Sequence, residues 1–192
     1  VYGSLAMIDD CADFHLQTFT LEFFLKIPSY SLNLTRTIMR KGSAMSMTMN
    51  DNGILSVAGG GVTVSTGKKV NDGKWHHIAL VADGDNGSLT VYVDGVAKAG
   101  SMTGSIDYSG DKPLSFGGTP DNYYGIWDGQ VDEIRISNEV LGPSQFLTYR
   151  VNDYVSEASL PNTLMYLDFA GGLTAQSCDE FPTAVSYTPS LI

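Results

Sequence analysis

Apolar side chains return at every second position, segment after segment, along most of this chain. The plainest case is Met45-Ser46-Met47-Thr48-Met49, where methionines alternate with hydroxyl residues. A period of two belongs to an extended strand with one face buried and the other exposed. Thr18 to Ile27 likewise carries Phe19, Leu21, Phe23 and Leu25 on one face. Further strand signals lie at Thr35 to Arg40, Ala44 to Met49, Ile54 to Ala58, Val62 to Val64, Lys74 to Ala82, Leu89 to Val93, Leu114 to Phe116 and Gln130 to Ser137. Asn50-Asp51-Asn52-Gly53 and Asp83-Gly84-Asp85-Asn86-Gly87 read as hairpin turns between them.

One segment looks helical: Pro143 to Arg150, with Pro143 suited to a first turn and Phe146, Leu147 and Arg150 at helical spacing. The acids agree, since Asp outnumbers Glu 16 to 5 and 21 Gly accompany them. Asp and Gly serve turns, whereas Glu favours helices. About ten strands with one short helix predict an all-β antiparallel sandwich of two sheets, not a βαβ fold.

With 192 residues, 43% of them hydrophobic, the chain can bury a substantial core as one large domain or two small ones. Its longest apolar runs, such as Phe23-Phe24-Leu25 and Ile78 to Ala82, are too short to cross a bilayer as a helix. No signal peptide is visible at Val1, so the sequence reads as mature or excised. A net charge of −10, from 11 basic against 21 acidic groups, argues against nucleic acid and anionic membrane as partners. Cys11 and Cys178 stand near opposite ends. A disulfide between them is the preferred reading and would stabilise by about 4–5 kcal/mol on the chain-entropy model; two separate thiols are the alternative.

Four segments, in order and spacing, carry a family resemblance. They are Thr18-Phe19-Thr20-Leu21-Glu22-Phe23-Phe24, then Asp72-Gly73-Lys74-Trp75-His76-His77-Ile78-Ala79-Leu80-Val81, then Leu89-Thr90-Val91-Tyr92-Val93-Asp94-Gly95, and Gly129-Gln130-Val131-Asp132-Glu133-Ile134-Arg135-Ile136. Together they resemble the laminin-G-like jelly rolls of the concanavalin A-like lectin/glucanase superfamily, over roughly residues 1 to 150. The resemblance implies a laminin-G-like β-sandwich over residues 1–155, with 156–192 a linker plus a strand at 164–170. Family members open with an aromatic–Phe–Asp–Gly strand that the N-terminus lacks, while Tyr166-Leu167-Asp168-Phe169-Ala170-Gly171 resembles it at the other end. Either that strand closes the same sandwich or it begins a following repeat. Closure is preferred, because a lone strand leaves an apolar edge exposed.

The fold hosts lectins, adhesion modules, receptors and hydrolases, so function has to be read from sites. Laminarinase-type sandwich hydrolases carry Glu-x-Asp-x-x-Glu on one strand. Here no Glu has Asp two residues on, and only Glu22, Glu133, Glu139, Glu157 and Glu180 are present. There is no Gly-x-Ser-x-Gly elbow. His76 and His77 are adjacent, point to opposite faces, and are expected to be structural. Gly61 to Lys69 has the wrong spacing for a phosphate loop, and no helix follows it. The chain is therefore expected to be non-catalytic.

Two kinds of binding site are expected. The resemblance implies a structural calcium held by Asp132, with Asp168 if the tail strand fills the first-strand place; calcium takes six to eight oxygens. For a glycan, Asp121 to Asp128 is the suggestive stretch, with Asn122, Tyr123, Tyr124 and Trp127 supplying aromatic faces and polar handles. The alternative is that Trp127 and one Tyr plug the end of the sandwich. Binding through the ring predicts that Trp127→Ala abolishes saccharide binding with the fold unchanged.

The function expected is a non-catalytic, lectin-like carbohydrate-binding module, extracellular or at the cell surface, within a larger multi-domain protein. A protein–protein adhesion or structural domain is the alternative, and a divergent sandwich hydrolase or lyase comes third. The partner is accordingly a glycan or an extracellular protein.

Overall fold

The computed structural model describes residues 6–29, 34–110, 112–118, 127–148, 162–167 and 173–175. Thirteen strands lie among them: β1 (Ala6–Ile8), β2 (Phe19–Lys26), β3 (Arg36–Lys41), β4 (Met45–Met49), β5 (Ile54–Gly59), β6 (Val62–Lys69), β7 (Trp75–Asp83), β8 (Ser88–Val93), β9 (Val96–Ser101), β10 (Leu114–Phe116), β11 (Gln130–Ser137), β12 (Thr163–Leu167) and β13 (Leu173–Ala175). They form a six-stranded sheet in the order β1-β10-β3-β4-β5-β6 and a seven-stranded sheet in the order β13-β12-β11-β2-β7-β8-β9. Every strand pairing among the described residues is antiparallel. The expected two-sheet sandwich is therefore the architecture. No helix among the described residues is long and apolar enough to cross a membrane.

The alternation read from the sequence builds the core. Met45, Met47 and Met49 turn inward with Leu55, Val57 and Val64, and meet Leu21, Phe23, Leu25, Ile78, Leu80, Leu89, Val91 and Ile134 from the other sheet. Phe23 and Phe116 join the two layers edge to face, with centroids 5.3 Å apart, a favoured geometry for aromatic pairs. Tight two-residue turns set the hairpin registers. Asp94 and Gly95, at φ 49° and 76°, join β8 to β9, the positive-φ pair that a right-twisted hairpin selects.

The structure departs from expectation at β9 and at the expected helix, adds β1 and β13, and extends β6 to Lys69. The strand β9, Val-Ala-Lys-Ala-Gly-Ser, has no apolar alternation; it forms because the Asp94-Gly95 turn delivers it to the edge of β8. Of the helix expected at Pro143 to Arg150, residues 143–148 are described, and they form a single 3-10 turn, Pro143–Gln145. Gly142 N donates to the Gln145 side chain at 3.0 Å, but Phe146 is already extended. Leu147 N then donates to the carboxylate of Glu22 at 2.8 Å rather than to a helical carbonyl. The apolar side chains of Phe146 and Leu147 are buried against the seven-stranded sheet instead of along one helix face. Near its other end, β12 pairs with β11 through Ile134 and Leu167, Arg135 and Tyr166, and Ile136 and Met165.

Candidate functional site

The two outward faces of the sandwich differ in what covers them. On the seven-stranded sheet, β2 presents Thr20, Glu22 and Phe24 outward, and all three are buried. Segment 139–147 lies over them. Thr20 Oγ1 donates to Glu139 O at 2.8 Å and accepts from Leu141 N at 2.9 Å. Glu22 is fully buried and is saturated with donors: Arg135 Nε at 2.6 Å, His77 Nε2 at 2.9 Å and Leu147 N at 2.8 Å. Arg135 Nη2 reaches on to Gln145 O at 2.8 Å. A buried carboxylate survives only when charge and hydrogen bonds compensate it. This one is spent on holding the covering segment.

On the six-stranded sheet, β3 to β6 have no such cover among the described residues, while on β10 Ser115, opposite Arg40, is buried. The residues between its buried ones are Thr37 and Arg40 on β3, Ser46 and Thr48 on β4, Ser56 and Ala58 on β5, and Thr63 and Ser65 on β6, all half-buried or exposed. The ladder aligns them across strands: Arg40 opposite Ser46, Ser46 opposite Ala58, and Ala58 opposite Thr63. Strands spaced about 4.8 Å apart put the ends of that row about 14 Å from each other. It is a face of short side chains, six hydroxyls and the Ala58 methyl, with one guanidinium.

At one end of this face lies a groove of about 320 Å³, lined by Arg40, Ser43, Ser46, Thr63, Ser105 and Asp107 together with the Gly59-Gly60-Gly61 turn. Gly60 and Gly61 adopt φ of 55° and 76°. A Cβ on either would strike Met102 Sδ at 2.5 Å or Thr103 Oγ1 at 2.2 Å, so only glycine brings this turn so close. Gly60 O accepts from Thr103 N at 2.9 Å and from Gly104 N at 3.2 Å. The groove floor is thereby fixed before any ligand arrives. Asp107 accepts from Ser109 N at 2.9 Å, and the amide and hydroxyl of Ser109 hold its carboxyl below the usual range. Arg40 is oriented by its Nε bond to Gly42 O, 2.8 Å long.

The expected site residues that the structure describes fall elsewhere. Trp127 is only 6% exposed and belongs to the core. Its ring packs so tightly over Gly129 that a Cβ there would meet it at 2.2 Å, and the Lys26 carbonyl at 2.6 Å. Its indole Nε1 is buried without a partner among the described residues, so that hydrogen is not offered to a saccharide. Asn122, Tyr123 and Tyr124 lie outside the described residues, as do Asp168 and Cys178. Cys11 is half-buried against the core. His76 and His77 take opposite sides of β7. His76 sits between Asp94 and Asp72 at 2.9 and 3.0 Å, while His77 serves Glu22.

Asp132 stands on β11 opposite Phe24, just before a bulge in the pairing with β2, and accepts from Glu133 N at 3.0 Å. Among the described residues no three His, Cys, Asp or Glu side chains converge as metal ligands do. Asp132 is the one expected calcium ligand among the described residues, and calcium takes six to eight oxygens.

The groove residues carry no sequence motif. Their one signal was the hydroxyl half of the Met45–Met49 alternation, which faces out when the methionines face in.

A family model described as the concanavalin A-like lectin/glucanases superfamily matches residues 2–145. A mouse protein, "Sushi, von Willebrand factor type A, EGF and pentraxin domain-containing protein 1", is 29% identical over 149 residues, which is 73% of this chain and 4% of that protein. The chain thus spans a small fraction of that relative's length. Among solved structures, a Bacteroides ovatus protein assigned to carbohydrate binding superposes with a TM-score of 0.67 at 20% identity, over 91% of this chain and 51% of that one. The LG1-3 region of the laminin alpha2 chain superposes with a TM-score of 0.55 at 19% identity, over 76% of this chain and 32% of that one. At such identities the likeness is one of fold.

Proposed function

The chain belongs to a laminin G family of the concanavalin A-like lectin/glucanases superfamily, and from that membership we propose that it is a non-catalytic, lectin-like module that binds carbohydrate on the open face of its six-stranded sheet. The observation that carries this reading is the asymmetry of the sandwich. Segment 139–147 lies over β2 on one outer face, whereas among the described residues β4 to β6 on the other face have no such cover and border a groove. Saccharides are recognised by preorganised groups that pair with their hydroxyls, and the pinned glycine turn supplies such a rigid floor. We place the module outside the cell or at its surface, within a larger multi-domain protein. The mouse relative's name joins sushi, von Willebrand factor type A, EGF and pentraxin domains.

The test is a glycan array in calcium-replete buffer, run with the native chain and with Ser46→Tyr. Ser46 is half-buried and its side chain lines the groove. Tyrosine suits a strand and fills the space, so binding should vanish while the melting temperature stays within about 2 °C, as for other surface changes. No binding by the native chain, or binding indifferent to Ser46→Tyr, overturns the reading. Release of products from a polysaccharide would overturn the non-catalytic part. A protein-binding adhesion module is the second reading. The open edge of β9, where Val96 is 60% exposed, favours it, and it predicts capture of a protein partner whatever occupies the groove.

A further inference from the structure

The groove also says what kind of saccharide it takes. Among the described residues no aromatic side chain lines it, so stacking of sugar C–H faces on a ring, the usual apolar half of sugar recognition, is not available there. Binding has to come from polar contacts, and the strongest of these are charge-assisted. One cation lines the groove, Arg40.

In this acidic chain several cations are paired with carboxylates: Lys41 with Asp10, Lys68 with Asp94 and Arg135 with Glu22. Arg40 has no such partner among the described residues. Its Nε is used on Gly42 O, which orients the planar fork, and no described acceptor takes its terminal nitrogens. Ser43, Ser46, Thr63 and Ser105 line the same groove. A guanidinium matches a planar carboxylate through two parallel hydrogen bonds. Asp107 lines the same groove and keeps its charge to low pH. It accepts from sugar hydroxyls and repels a densely charged polyanion.

We propose that the groove binds a saccharide bearing a carboxylate, with Arg40 clasping that carboxylate and the hydroxyl row and Asp107 reading the neighbouring sugar hydroxyls. The proposal rests on the reading of this face as a carbohydrate site and names its ligand class.

Isothermal titration with matched pairs tests it: oligogalacturonate against its methyl ester, sialyllactose against lactose, and sulfated lactose as a second anion. The native chain should bind at least one carboxylated member about tenfold more tightly than its neutral match, with the advantage shrinking in high salt. Arg40→Gln should bring the carboxylated sugar and its neutral match to equal affinity. Arg40→Lys should recover only part of the advantage, since an ammonium is a point charge and not a fork. Sulfated lactose bound as tightly as the carboxylated sugars would overturn the assignment to carboxylate. A preference that survives Arg40→Gln, or native binding of neutral sugars with no preference, would overturn the proposal while leaving carbohydrate binding intact. Silence towards every sugar, neutral and charged, would overturn both. The arginine side-chain Nε–H signal in NMR gives an independent readout, and it should shift on adding the carboxylated sugar but not its ester.

Discussion

At the scale of single residues, one position shows how far composition can mislead. Trp127 follows a stretch of sequence rich in Asn, Asp and Tyr, a setting that suggests a sugar platform. Its ring is in the core instead, over Gly129 and the Lys26 carbonyl. Trp127→Ala should therefore lower unfolding free energy by about 3–5 kcal/mol, the cost of emptying a buried aromatic site, as read from urea denaturation. A near-native midpoint for this variant would contradict the packing. Loss of sugar binding in the same variant would report the loosened fold rather than a contact. The inward methionines were legible because period two needs no partner to be seen. The direction of a single Trp depends on Gly129, two positions on, and on Lys26 from another strand, which pattern reading does not bring together. Arg40 was invisible for a related reason: it sits in an unremarkable Thr-Ile-Met-Arg-Lys stretch, and only the fold sets it beside Ser105 and Asp107.

At the scale of elements, the covering segment 139–147 is the feature that distinguishes the faces. It has too little regular structure to hold itself, with one 3-10 turn, and depends on Thr20, Glu22 and Arg135 beneath it. Glu22→Gln leaves the Arg135 guanidinium in a site 4% exposed without its counter-ion. Breaking one half of a buried pair costs about 3–5 kcal/mol. Stability should fall by that order, and hydrogen exchange at Leu141 and Leu147 should quicken more than in β4 or β5. Uniform loosening, or none, would mean the carboxylate is not what secures the segment. Replacing Glu22, His77 and Arg135 together by apolar residues is a different experiment, because buried ion pairs are often no more stabilising than good packing. The sequence predicts a helix over 143–150 because Pro143 and the spacing of Phe146, Leu147 and Arg150 fit one. Burial of Phe146 and Leu147 against the sheet outweighed that local preference. The strand β9 was missed for the converse reason, since its sequence has no strand signature and its turn supplies the register.

At the scale of the molecule, four weak motifs in order were enough for the fold, since each is a strand whose two faces have fixed destinations. The candidate site was less legible. It is assembled from β3, β4, β5, β6 and loop 103–107 by strand pairing, and contains no motif of its own. That is what a sandwich entails: its strand interiors are committed to the core, and recognition falls to whichever outer surface stays uncovered. The claim that this surface is the open face of the six-stranded sheet can be tested by mapping backbone amide shifts while a sugar that binds is titrated into the native chain. The account predicts shifts clustered at Gly42, Ser43, Ser46, Gly61, Thr63 and Ser105, with Leu141 to Leu147 still. Shifts gathered on segment 139–147, with the groove residues unmoved, would contradict it.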